Sequence, residues 1–280
     1  MRILFKMAVV ALVLYCTACS PNNVSVNNDL KKYFDDNHVA GTFGLLDNGQ
    51  NEFTVYNLPR FKDSTYLPAS TFDIVNSLIG IETGRIVNEK MLIKWDGVVR
   101  KYPNGDTAAA WNKDLTMTEA FKTSAEAYYQ EVARRIGKDT MQRWLDSLGY
   151  GARYTKAVIK TGVDTFWLDS SIKVTTDEQL GLVKKLYFGQ LPFQKRTQDI
   201  VKKAMLVEKN KKYSISYKIG QGLTGNGDAF GWLAGWMEEN NHAYFFALNV
   251  QGDSHADMAV VVQNVAKGIL KQLGFFEGKM

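Results

Sequence analysis

Only two cysteines occur in the 280-residue chain, Cys16 and Cys19, and both precede residue 20. No disulfide can therefore hold the body of the protein together, and its stability must come from its core. Histidine is equally sparse: His38, His242 and His255 stand far apart without ligand spacing, so neither a metal nor another cofactor is expected. Charge of one sign is lacking too. The formal net charge of +5 falls by two, to +3, when Arg2 and Lys6 leave with the leader described below, an excess too small and scattered to argue for nucleic acid. There is no low-complexity tract and no internal repeat. A chain of this length with 45% hydrophobic residues suits one large domain or two intimately packed lobes around a substantial core.

What is present begins with a leader. Arg2 and Lys6 flank the start of an apolar run from Met7 to Tyr15 that is too short to span a bilayer permanently, and Thr17-Ala18-Cys19 follows. This is the pattern of a secretory signal. The small residues before Cys19 resemble a lipoprotein-processing site, which implies removal of residues 1–18 and a lipid on Cys19, although Cys16 stands where that pattern usually has Leu. An ordinary cleaved leader is the alternative. Residues 19–28, rich in Asn, Ser and Val, read as a tether, and the mature protein is expected to be exported, in the periplasm or at the cell surface, anchored to a membrane.

Beyond the tether the hydrophobic period changes in a definite order. Leu30, Tyr33 and Phe34 mark a short helix, and Thr42–Leu46 and Phe53–Tyr56 form a hairpin about Asp47-Asn48-Gly49. From Ala69 to about Leu206 the spacing is helical, with Ile74, Leu78 and Ile81, then Ala127, Val132 and Ile136, then Met141, Leu145 and Leu148 on successive faces, and Gly84, Gly137 and Gly149 at their ends. Three apolar segments, Tyr213–Gly220, Phe230–Glu238 and His242–Val250, predict an antiparallel meander. The four glycines Gly220, Gly222, Gly225 and Gly227 read as part of its first hairpin. A last helix over Ala256–Leu273 carries Val260, Val261, Val265, Ile269 and Leu273 on one side. Trp95, Trp111, Trp144, Trp232 and Trp236 are expected as core or lobe-packing aromatics. The fold class is α+β: one antiparallel sheet flanked by helices, plus a helical lobe.

Chemistry enters at Tyr66-Leu67-Pro68-Ala69-Ser70-Thr71-Phe72. A helix beginning near Ser70 places its hydroxyl at a helix N-terminus, where backbone N–H groups favour a developing anion. On local grounds alone Ser70 reads as a helix cap rather than a nucleophile.

The runs Leu67–Gly84, Lys94–Gly97, Trp111-Asn112, Tyr129–Gly137, Phe166–Leu168, Leu191–Phe193 and Gly231–Trp236 resemble, in order and spacing, the oxacillinase-type class D β-lactamases. The resemblance implies a penicillin-recognising serine-acyl-transfer fold, with a five- or six-stranded antiparallel sheet, a helical lobe and the site between them. It also implies a β-lactam or peptidoglycan-like small molecule as the partner. Sensor domains that detect β-lactams share this fold. Residue by residue, the nucleophile Ser70 is kept, but Asp73 stands where the family has a lysine that is carbamylated and acts as general base. Ser124-Ala125-Glu126 replaces Ser-x-Val, Tyr150-Gly151-Ala152 replaces Tyr-Gly-Asn, and Trp167, whose counterpart bonds the carbamate, is retained. Lys218-Ile219-Gly220 stands for Lys-Thr-Gly, with Lys218, Ile219 and Gly220 expected to face substrate and the backbone N–H groups of Ser70 and Gln221 to form the oxyanion hole. A literal Lys160-Thr161-Gly162 lies in the wrong place in chain order and reads as coincidence.

These substitutions leave two readings open. In one, the cleft persists while catalysis has decayed. In the other, the acids have been relocated: Asp73 is too short to replace a carbamylated lysine, but a buried Glu126 directed toward Trp167 is a candidate base. The plain alternative for both acids is that they are solvated or paired with Lys218. A β-lactam or peptidoglycan sensor that is acylated without turnover, and an inert envelope protein using the cleft for a partner, are the runner-up functions.

Overall fold

A computed structural model describes residues 23–101, 107–152, 156–169 and 171–278. The leader and Cys19 lie outside these. The N-terminal part holds β1 (Val24–Val26), α1 (Lys31–Asp35), β2 (Ala40–Asp47), β3 (Glu52–Tyr56) and α2 (Leu58–Asp63). The lobe comprises α3 (Asp73–Glu82), β4 (Leu92–Ile93), β5 (Leu115–Thr116), α4 (Met117–Thr123), α5 (Glu126–Ile136), α6 (Lys138–Leu148), α7 (Thr176–Tyr187) and α8 (Lys195–Met205). The chain returns through β6 (Leu206–Lys209), β7 (Tyr213–Leu223), β8 (Ala229–Glu239) and β9 (His242–Gly252), and closes with α9 (Met258–Gln272).

The main sheet has seven strands in the order β1-β3-β2-β9-β8-β7-β6, and β4 pairs separately with β5. The sheet exceeds the expected five or six strands, and it is not wholly antiparallel, because β1 runs parallel to β3. The extra strand comes from the stretch read as a tether: Phe53 N donates to Asn23 O at 2.7 Å and Asn27 N to Val55 O at 2.9 Å. The hairpin of β2 and β3 and the meander of β7, β8 and β9 follow the sequence expectation.

β8 explains its own composition. Along a strand successive side chains alternate faces, and here Trp232, Ala234 and Trp236 enter the core shared with the lobe, whereas Leu233 and Met237 enter the core beneath α9. A strand covered on both faces has no solvated side, so its run from Phe230 to Met237 is apolar throughout. The two cores are distinct. One joins α3, α5 and α7 to the sheet through Phe72, Leu78, Tyr129, Trp167 and Val183; the other packs α1 and α9 on the opposite face through Phe34, Phe246, Val262 and Ile269. Each such buried aliphatic side chain contributes about 1.5–3 kcal/mol.

Helix ends are chemically set. Thr116 and Thr175 each form a capping box with Glu119 and Glu178, and Gly137 and Gly149 adopt φ of +83° and +62° where α5 and α6 stop. Two expectations are corrected. The buried stripe of α9 is Met258, Val262, Val265, Ala266, Ile269 and Leu270, while Val260 is 50% exposed, since two residues turn a helix by about 200°. Trp95 is 36% exposed rather than core.

Candidate active site

Ser70 lies in a 3-10 turn, Ala69–Phe72, and α3 starts three residues later than expected, at Asp73. The turn is held unusually firmly. Ala69 has φ of +47°, a left-handed conformation that is costly for a residue with a Cβ. Thr71 Oγ1 donates to Pro68 O at 2.5 Å and accepts from Gln179 Nε2 of α7 at 2.6 Å, and Trp232 Nε1 of β8 donates to Leu67 O at 2.8 Å. Helix, sheet and turn thus fix one another. β7 passes directly against the turn at Gly220, where a Cβ would stand 2.9 Å from Thr71 N, 3.1 Å from Pro68 O and 3.2 Å from Ser70 N. Only glycine permits this approach, which sets Gly220 and the following Gln221 beside the serine. Among the described residues no hydrogen bond engages the Ser70 hydroxyl.

Strand alternation then separates Lys218 and Ile219, the two residues before Gly220. Lys218 turns into the seam between sheet and lobe. Its Nζ lies 3.0 Å from Asp73 Oδ2, with both side chains 4% exposed, and also donates to the Ser124 hydroxyl and to Ile219 O at 3.1 Å. Oδ2 sits at ion-pair distance without the alignment of a hydrogen bond. The Phe121 ring, from α4, covers the amine at 5.3 Å. Ser124 reaches it from the α4–α5 junction, where a φ of +52° reverses the chain. Ile219, expected to face substrate, packs instead in the core under α9, because neighbouring strand residues point oppositely. The Gln221 side chain is likewise committed to α9, its Oε1 accepting from Ala259 N at 3.1 Å.

Burial dominates the electrostatics. It pushes Asp73 up to about 7, against the pull of Lys218, and the charge of Glu126 pushes the same way. Burial lowers Lys218, against the pull of Asp73. Glu126 is raised by burial and opposed by Arg100. Its carboxylate accepts from Gln130 Nε2 at 3.1 Å, so its hydrogen bond among the described residues goes along α5 rather than toward Trp167. Arg100 is itself clamped by both oxygens of Asp96, at 2.8 and 2.7 Å.

Trp167 is buried and stacks on Phe72 with ring centres 5.2 Å apart; Tyr150 packs on the same Phe72 at 5.7 Å. The second Lys-Thr-Gly, Lys160-Thr161-Gly162, lies in an exposed loop, with the Thr161 hydroxyl on Asp169. The site therefore gathers Ser70, Asp73, Ser124, Glu126, Lys218 and Gly220 and leaves Ile219 outside. Phe121, Thr71 and Gln179 belong to it and went unnoticed in the sequence. A Thr beside the nucleophile was visible, but its partner lies 108 positions away.

A helical lobe set against a mainly antiparallel sheet, with a serine at their seam beside a strand glycine, is the architecture of penicillin-recognising proteins. The penicillin binding protein transpeptidase domain matches residues 22–271. Beta-lactamase OXA-5 of Pseudomonas aeruginosa is 34% identical over 253 residues, which cover 90% of this chain and 91% of that one. The class D β-lactamase YbXI from Nostoc superimposes with a TM-score of 0.80 at 33% identity, over 89% of this chain and 99% of that one. The C-terminal domain of the BlaR penicillin receptor of Bacillus licheniformis gives 0.81 at 26% identity, over 90% and 97%. The chain belongs to the penicillin-binding transpeptidase-domain family and, within it, to the class D β-lactamase group.

Proposed function

We propose that this chain is a lipid-anchored envelope protein whose cleft takes up β-lactams, is acylated slowly at Ser70 and hydrolyses the acyl-enzyme weakly or not at all. The observation that carries this reading is the buried contact of Asp73 with Lys218. Turnover needs a base twice, once to take the serine proton and once to activate water, and a general base typically contributes about 100- to 10,000-fold. At position 73 the carboxylate is short, buried and committed to Lys218, so neither partner is free for that work. What favours uptake and acylation is the rest of the site. The fixed turn and the abutting Gly220 support an oxyanion hole from the N–H groups of Ser70 and Gln221. Likeness to a penicillin receptor favours, as a second reading, a sensor that holds its acyl group.

The test is incubation with a fluorescent penicillin followed by denaturing electrophoresis. A stable label that disappears in Ser70→Ala supports the proposal. No label supports an inert cleft, and rapid release with turnover would identify a working hydrolase.

A further inference from the structure

A second concavity lies in the lobe, apart from the Ser70 seam. It encloses about 360 Å³ between β4, the segment just after it, residues 111–115 and one face of α5, and none of the residues gathered around Ser70 lines it. Its aromatic walls are fixed in place. Trp95 is 36% exposed, yet its backbone N–H donates to Asp114 Oδ1 and its Nε1 to Val98 O, both at 2.9 Å. Trp111 Nε1 donates to Thr123 O at 2.8 Å, and the Tyr128 hydroxyl donates to Met91 O at 3.4 Å. All three polar handles are committed to the protein, so what these rings leave for a ligand is apolar surface, continued by Leu92 and Ile93.

The polar lining is cationic. Lys94, Lys113, Arg134 and Arg135 line the cavity against only Asp96 and Glu131, four cations to two acids. Both acids are already engaged: Asp96 holds Arg100 with both oxygens, and Glu131 accepts from Arg134 and Arg135 at 3.1 and 2.8 Å. Arg135 uses only its Nε there. Among the described residues its terminal nitrogens, and the amines of Lys94 and Lys113, make no hydrogen bond or ion pair. The uncommitted side-chain groups are therefore donors beside rigid apolar walls. A ligand rich in hydroxyl donors finds no free side-chain acceptor here. A flat apolar body carrying one carboxylate meets both features, and a guanidinium fork matches a carboxylate in shape and charge. The volume is at the small end for ligand pockets, which favours a molecule of one or two rings over a protein surface.

We propose that this cavity binds a small aromatic carboxylate, its ring against Trp95 and Trp111 and its charge on Arg135 and Lys113. This goes beyond the β-lactam reading and does not rest on it, because the cavity contains none of the acyl-transfer residues.

The test is calorimetric titration of the full chain with 2-naphthoate as the probe. Saturable binding of one naphthoate per chain is expected, weakened about tenfold or more in Arg135→Met and in Trp95→Ala. Both side chains reach the surface, and circular dichroism should show both variants folded. Lys271→Met, which removes the same charge from α9 on the far face of the sheet, should bind as wild type does. The uncharged 2-naphthamide should bind about tenfold or more weakly. No saturation at millimolar naphthoate overturns the proposal, as does saturable binding that neither Arg135→Met nor Trp95→Ala weakens. Naphthamide binding as tight as that of naphthoate overturns the choice of an anion.

Discussion

Adding one methyl group at Gly220 tests whether β7 and the Ser70 turn act as one unit. In Gly220→Ala the new Cβ meets Thr71 N at 2.9 Å, Pro68 O at 3.1 Å and Ser70 N at 3.2 Å. All three are backbone atoms, and they cannot rotate away as a side-chain tip would. The turn cannot retreat easily either, because Thr71 is bonded to Pro68 and Gln179, and Leu67 O to Trp232. Strand and turn must separate by a few tenths of an ångström, a distortion of the overpacking kind that costs about 1–3 kcal/mol. Misplacing the serine relative to the strand should slow labelling by a fluorescent penicillin about tenfold to a hundredfold. Gly225→Ala, whose Cβ meets nothing within 4 Å, is the control and should change stability by less than about 0.5 kcal/mol. Urea unfolding gives the first quantity and labelling time courses the second. A Gly220→Ala protein as stable as the control and labelled at the wild-type rate would refute the close approach on which the proposed oxyanion hole depends.

Other perturbations reach the acids and the anchor. Asp73→Lys sets two lysines in contact, which favours a neutral amine able to accept carbon dioxide, but nearby Glu126 favours the ammonium form. Penicillin hydrolysis should therefore stay poor in the single variant and become bicarbonate-dependent, beyond the sum of the singles, on adding Glu126→Val; no synergy would mean that the cleft has lost its geometry as well. Glu126, raised by burial from its ordinary 4.5, holds its proton to higher pH folded than unfolded, so its contribution to stability is lost as pH rises from that value through the folded one. Glu126→Gln should gain stability over wild type in urea unfolding as the pH rises above about 4.5, and a constant difference would refute the assignment. Cys19→Ser should release the protein from membranes on cell fractionation, and equal retention would exclude the lipid.

Much of the fold was legible because its signals are local. The three long C-terminal strands are apolar runs bounded by turns, and the lobe helices repeat at helical spacing and stop at glycine. β1 was not legible, since Val-Ser-Val carries little pattern and its partner, Phe53–Val55, lies 29 positions away. The capping boxes were written plainly as Thr116 with Glu119 and Thr175 with Glu178, and were overlooked among stronger periodicities. At the site, Ser70, Asp73, Ser124, Glu126 and Lys218 were found by motif order. The pairing of Asp73 with Lys218 stood among open alternatives, because whether two side chains touch across a seam is decided by the packing of both lobes. Ile219 was misassigned because a motif names neighbours, whereas a strand sends them to opposite faces.

The parallel pairing of β1 has a consequence for how the molecule stands on a surface. Asn23 is already bound to β3, so with a lipid on Cys19, as proposed, the leash between membrane and sheet spans no more than about 14 Å fully extended. On so short a leash the domain would not tumble freely: such an anchor would keep the outer edge of the sheet next to the lipid headgroups and leave the far edge, with β6 and β7, toward open solvent.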